Sequence, residues 1–122
     1  MTTLNYESLS VEISSETLRG EKVQIISFRG KITHQNANLA GDELENLFDD
    51  NSPNVIVDLS ELEYINSVGL AVILSLVRRV EDLNGKFGLG GRHKQVETIV
   101  NLLDVSDHVR VFSSLEEAKT FW

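Results

Sequence analysis

The sequence predicts an α/β fold: a single small domain over residues 1–122, with a mixed β-sheet, an N-terminal hairpin and about four helices. Three observations predict it. Two strand-like segments near the N-terminus are joined by a link short enough to favour an antiparallel return. Downstream, short apolar runs alternate with segments whose apolar residues recur at helical spacing, the pattern of parallel strands covered by helices. No internal repeat, low-complexity tract or long linker divides the 122 residues.

The elements follow in order. Leu9, Val11 and Ile13 alternate with polar residues, as in a half-buried strand. Arg19-Gly20-Glu21-Lys22 reads as a turn, and Val23–Phe28 as a second, β-branched strand that stops at Gly30. From Gln35 to Asp50 the period becomes helical, with Ala40, Leu44, Leu47 and Phe48 on one face, and Asn51-Ser52-Pro53-Asn54 ends that helix. Val55-Ile56-Val57 is a short strand apolar on both faces, ending at Asp58, with Leu59–Ile65 as a connection. A second helix runs from about Asn66 to Asn84, with Gly85 as its stop. Lys86–Leu89 is a strand, Lys94–Leu103 a third helix and Val109–Phe112 the last strand. Ser113 or Ser114 caps a final helix through Phe121, with Glu117 at the capping-box position.

Composition narrows the function classes. Nineteen acidic residues against eleven basic ones give a net charge of -8. That balance disfavours nucleic acid, whose phosphates need a basic face, and anionic membranes. There is no cysteine, so no thiolate metal site, catalytic thiol or disulfide framework is available. The N-terminus lacks a basic region followed by an apolar run, and the most apolar stretch, Gly69–Val77, falls far short of the ~20 residues a span needs. The expectation is a cytoplasmic protein without membrane or cofactor.

The most informative segment is Val57–Leu70, which leads from a buried strand into a helix N-terminus. Asn66 is a good N-cap, because its side-chain oxygen can accept from an unpaired amide of the first turn. Ser67 then takes the first helical position, with the amides of Val68 and Gly69 nearby. A phosphate on Ser67 would add about -1.5 to -2 charges at the positive end of the helix dipole. Gly69 adds no side chain to crowd it. By spacing alone, Asn66 and Ser67 need do no more than start a helix.

The same segment resembles the signature of the STAS family, which includes the anti-sigma-factor antagonists: an apolar strand, Asp-Leu-Ser, a short link ending in Ile or Met, then Asp-Ser-Ser-Gly-Leu. Gly30-Lys31-Ile32-Thr33-His34-Gln35-Asn36-Ala37 is similar to the family's Gly-x-Ile-Asp-x-x-x-Ala segment, and Leu115-Glu116-Glu117-Ala118 to its C-terminal Leu-Glu-Glu-Ala helix. The resemblance covers Leu9 to Phe121. It implies a non-enzymatic partner switch. A kinase of the histidine-kinase-like ATPase type, often the anti-sigma factor itself, phosphorylates the serine aligned with Ser67. The unmodified form binds that kinase and releases its client, and a PP2C-type phosphatase resets the cycle. Two family aspartates are replaced, by Asn66 and by Thr33. Both changes remove negative charge near the serine, which could retune partner choice or mark a member that is not phosphorylated.

Behind the site, Leu70, Ile73, Leu74, Val77 and Val80 form an inward stripe, widened by Val72 and Leu76. Ala71 and Ser75 are small, so a partner could approach the backbone beside Ser67, with Val68 and Val72 adding apolar contact. Thr33 and His34 are expected on the adjacent loop. His34, His93 and His108 show no metal-ligand spacing, and the glycines of Gly85–Gly91 fit neither the P-loop nor the dinucleotide fingerprint. Two alternatives stand beside the switch. One is a constitutive STAS subunit that scaffolds a transporter or signalling complex without phosphorylation. The other is a small enzyme, which would need titratable groups converging on Ser67.

Overall fold

The computed structural model describes residues 1–91, 101 and 109–122. A six-stranded sheet in the order β1-β2-β3-β4-β5-β6 is built from β1 (Thr2–Tyr6), β2 (Leu9–Leu18), β3 (Glu21–Ile32), β4 (Asn54–Ile65), β5 (Phe87–Gly90) and β6 (Val109–Phe112). The first three strands are antiparallel neighbours, and β3 to β6 run parallel. Among the described residues three helices accompany the sheet: α1 (His34–Leu47), α2 (Ser67–Asp82) and α3 (Leu115–Phe121). The expected helix over Lys94–Leu103 lies outside the described residues except at Asn101, which is helical; His93 and His108 lie outside them too.

Two layers follow from side-chain alternation. Val11, Ile26, Phe28, Val55, Val57, Leu59 and Leu89 point to one face, where they pack with Ala40 and Leu44 of α1 and Ile73, Val77 and Val80 of α2. Val23, Ile25 and Ile56 point to the other face, where Ala118 of α3 and Phe112 meet them. β4 is thus covered on both faces, as its continuous apolar start requires.

Several boundaries differ from expectation, each for a local reason. β1 was not anticipated, because only Leu4 and Tyr6 of its five residues are apolar. As an edge strand it needs no more than those two to meet the core. The hairpin turn is tighter than expected: Arg19 (φ 51°) and Gly20 (φ 82°) alone close it, and Glu21 already pairs with Leu18. β3 runs through Gly30 to Ile32 rather than stopping there. Gly30 has φ 101°, and a Cβ on it would lie 2.3 Å from the Ser8 carbonyl oxygen, so it serves as an in-strand irregularity. β4 continues to Ile65, well beyond Asp58. Its register against β3 slips between Asp58 and Glu61 and again between Leu62 and Tyr64, which scrambles the period-two signal. Asp58 stabilises the first slip by accepting from the Ser60 amide (3.1 Å) and hydroxyl (2.7 Å).

α1 ends at Leu47, earlier than expected. Leu47 is exposed, while Phe48 tucks into the core as the C-cap. α2 closes in a Schellman motif: Gly85 N–H donates to the Val80 carbonyl (2.8 Å) and Asn84 N–H to Glu81 (3.0 Å). The left-handed residue there is Asn84 (φ 58°), not Gly85. Gly85 is needed instead for close approach, since a Cβ would sit 2.2 Å from the Pro53 carbonyl oxygen. Ser114 caps α3 by accepting from Glu117 N–H (3.1 Å), and the Glu117 carboxylate accepts from the Ser113 hydroxyl.

Candidate functional site: two helix N-termini at one sheet edge

The parallel strands β3 and β4 end in register, Ile32 beside Ile65. The next residue of each is an N-cap, Thr33 for α1 and Asn66 for α2, and the next is a first helical residue, His34 and Ser67. Two helix N-termini therefore open at one edge of the sheet, where α/β folds generally present their sites. This brings Thr33 and His34 to the same edge as Asn66 and Ser67, but His34 is the first residue of α1 and Thr33 its cap, rather than both lying on a loop as expected, because the helix starts as soon as β3 ends. Neither helix has an acidic residue in its first turn, so no first-turn carboxylate offsets the positive end of either dipole.

Ser67 is exposed, as is His34; Asn66 and Thr33 are partly buried. Asn66 has extended backbone, and its Oδ1 accepts from Gly69 N–H at 2.8 Å. That bond commits the Gly69 amide. The donors left near the Ser67 side chain by helix geometry are the amides of Ser67 and Val68. Gly69 itself is buried, and its missing side chain serves the core, not the surface. A Cβ there would lie 2.5 Å from Ile32 Cγ2 and 2.8 Å from Ile65 Cγ1. The glycine lets the start of α2 press down on the two strand ends that set the site.

The Thr33 side is held by a residue the sequence reading passed over. Asn36 is only 1% exposed. Its Oδ1 accepts from Thr33 N–H (2.9 Å), and its Nδ2 donates to the carbonyls of Glu7 (2.8 Å) and Lys31 (3.0 Å). One amide side chain thus ties the β1–β2 turn, the end of β3 and the cap of α1. The available signal was its place three residues after a threonine cap, where a capping box puts Glu or Gln. Tyr64, near the end of β4 and two residues before Asn66, is 49% exposed.

Along α2, Ser67, Ala71 and Ser75 are all exposed at four-residue intervals and make one stripe. Val68 and Val72 are partly buried and pack against the core. The inward face is Ile73, Leu76, Val77 and Val80; Leu76 is fully part of it, whereas Leu70 and Leu74 are only partly buried. Beside the stripe, Ala71, Val72 and Ser75 line a groove of about 250 Å³ between α2 and α1. Among the described residues no carboxylate or imidazole hydrogen-bonds the Ser67 hydroxyl, and no three potential metal ligands converge. The arrangement displays a hydroxyl; it does not by itself activate one.

The family model of the STAS domain matches residues 14–118. The chain belongs to the STAS domain family. Among curated STAS relatives, the anti-sigma-F factor antagonist RsfB of Mycobacterium tuberculosis is 26% identical over 98 residues, 80% of each chain. The crystal structure of an anti-sigma factor antagonist from Mycobacterium paratuberculosis superposes with a TM-score of 0.69 at 22% identity, covering 91% of this chain and 92% of that one. The Bacillus cell fate determinant SpoIIAA in its phosphorylated form superposes with a TM-score of 0.68 at 15% identity, covering 90% of this chain and 98% of that one. The two structural likenesses establish a common STAS fold. Among the described residues no helix is long and apolar enough to cross a membrane.

Proposed function

We propose that this STAS domain is a non-enzymatic, phosphorylation-controlled partner switch acting in the cytoplasm. In its unmodified form it binds an anti-sigma factor that is also a serine kinase of the histidine-kinase-like ATPase type. Phosphorylation of Ser67 releases that partner, and a PP2C-type phosphatase restores binding. The observation that carries this reading is the placement of Ser67: an exposed hydroxyl at the first position of α2, beside a second helix N-terminus, on an edge without acidic first turns. The relatives named as anti-sigma factor antagonists support the choice of partner.

The physical argument has two halves. A phosphate at Ser67 meets unpaired amides and the positive dipole end, so the fold tolerates it. At a closed interface the same dianion must be desolvated against whatever covers Ser67. A thousandfold loss of affinity requires about 4 kcal/mol, within reach of a desolvated or like-charge contact. Asn66, Val68 and Gly69 shape the phosphorylation site; Thr33, His34, Ala71, Val72 and Ser75 are the proposed partner contacts.

The test is incubation with ATP and the cognate kinase, intact-mass measurement, and partner affinity before and after. The expected result is one added phosphate, absent in Ser67→Ala, with affinity falling about a thousandfold while circular dichroism is unchanged. Stoichiometric phosphorylation of Ser67 that leaves affinity unaltered would make the chain a constitutive subunit and reject the switch.

A further inference from the structure

β1 leaves one side of the sheet open. β2 takes its inner side through successive antiparallel pairs, from Thr2 with Ile13 to Tyr6 with Leu9, without a register slip. Among the described residues no strand pairs with its outer side. The outward N–H and C=O groups of such an edge are a template for a further strand, and soluble proteins block them with a charge, a proline or a bulge. β1 has none of the three: Thr2-Thr3-Leu4-Asn5-Tyr6 carries no charge and no proline, and its register is unbroken. The opposite edge is guarded. β6 has four residues, and one of them is the exposed cation Arg110.

An exposed leucine flanks the same edge. Asn38, Gly41, Asp42 and Glu45 line the α2 flank of α1. Leu39 is on the other flank, one turn before Glu43, whose carboxylate neighbours the Tyr6 phenol of β1. Leu39 is 58% exposed, and Leu4 and Tyr6 are only partly buried. An unguarded strand and an exposed leucine thus meet at one step in the surface. A further strand beside β1 would fill that step with the side chains it presents on the Leu4 face.

We propose that β1 pairs with β1 of a second copy of the chain, antiparallel about a twofold axis at Leu4. This is the self-pairing register that overlaps the whole of Thr2–Tyr6. It sets Leu4 against its own counterpart, Thr3 against Asn5 and Thr2 against Tyr6. Every opposed pair is apolar or uncharged, and the two Glu7 side chains fall at opposite ends of the paired strands. The strand is its own complement, as the isologous contact of a homodimer requires, and that selects a second copy as the occupant. One short strand and one leucine cover far less than the roughly 800 Å² per partner of a standard interface, so the dimer is concentration-dependent, not obligate. Each copy has a net charge of -8, none of it on β1, so salt that screens the remainder should tighten the pairing. Ser67 lies beyond the ends of β3 and β4, not along the side of the sheet, so both copies of it stay open. The inference does not depend on the switch.

Sedimentation velocity of the full, unmodified chain from about 10 μM to about 1 mM tests this, with amide hydrogen exchange at both ends of the range. The expected result is a monomer–dimer equilibrium that tightens with added salt, and slower exchange of the outward β1 amides at high concentration with β6 unchanged. Thr3→Lys combined with Asn5→Lys places lysine opposite lysine twice in this register, and should raise the dissociation constant about fivefold or more. Thr3→Lys combined with Asn5→Glu places opposite charges there instead, and should restore the parent value or improve on it. Thr3 and Asn5 are both exposed, so the melting temperature of the dilute chain should stay near that of the parent in each double variant. A monomer at every concentration, a dimer indifferent to both double substitutions, or protection gained in β6 rather than β1 would overturn the proposal.

Discussion

Asn66 caps α2 in the way an aspartate would, but without the charge. Its Oδ1 holds Gly69 N–H at 2.8 Å, so Asn66→Ala should cost about 1 kcal/mol, read as a lower midpoint in urea denaturation. Asn66→Asp keeps the acceptor and adds a carboxylate at the positive end of the dipole, so its stability should equal or exceed that of the parent. The same carboxylate would repel a phosphate on Ser67. Phosphorylation should therefore destabilise Asn66→Asp more than the parent, measured as the difference in melting temperature between modified and unmodified forms. Gly69 gives a sharper expectation. Gly69→Ala drives a methyl into Ile32 and Ile65 and should destabilise by about 1–3 kcal/mol, with the α2 N-terminus displaced. If Gly69→Ala matched the parent in stability, the close packing of α2 on the strand ends would be wrong.

At the scale of elements, the edge strand β1 is joined to the helical layer through Tyr6. Its phenol is pushed up to about 12, first by burial and then by the neighbouring Glu43 carboxylate of α1. The phenolic oxygen is buried without a hydrogen-bond partner among the described residues. A raised pKa in the folded state means that the folded chain holds a proton the unfolded chain gives up above its ordinary value of 10.0. Stability should therefore be intact below pH 10 and decline as pH rises from about 10 towards 12. Tyr6→Phe should remove that component of the alkaline decline. A parent and a Tyr6→Phe variant with the same alkaline unfolding profile would contradict this placement of the ring. α1 is further joined to the β1–β2 turn by Asn36, whose amide donates to the Glu7 carbonyl.

For the whole molecule, the sheet order places β3 and β4 in the centre, each paired on both sides, with β1 and β6 at the edges. β4 also has buried residues on both faces, Val55, Ile56 and Val57. The slowest amide hydrogen exchange should therefore lie in β3 and the first half of β4, with β1 and β6 exchanging faster. Phosphate at Ser67 should leave that pattern intact, since the site sits beyond the strand ends and outside the core. A switch of this kind works by changing a surface rather than the fold, which a STAS domain rigidly seated on its central strands permits.

Much of this organisation could be read directly from the chain. The alternation of strand and helix periods, the N-cap at Asn66, the first-turn position of Ser67 and a serine cap on α3, Ser113 or Ser114, are local properties. They depend on residues within one or two turns of each other, so short-range chemistry determines them. The remainder depended on neighbours distant in sequence. β1 exists because β2 offers it a partner. The second half of β4 is a strand because β3 pairs with it through two register slips that erase its periodicity. Asn36 matters because three separate segments bring it unpaired groups, and Gly69 because two strand ends lie beneath it. The groove, likewise, is a product of two helices laid side by side. The sequence alone determined which residues could start a helix and carry a phosphate; only the packed sheet decided that two such starts would open side by side, because parallel strands ending in register must release their helices at the same edge.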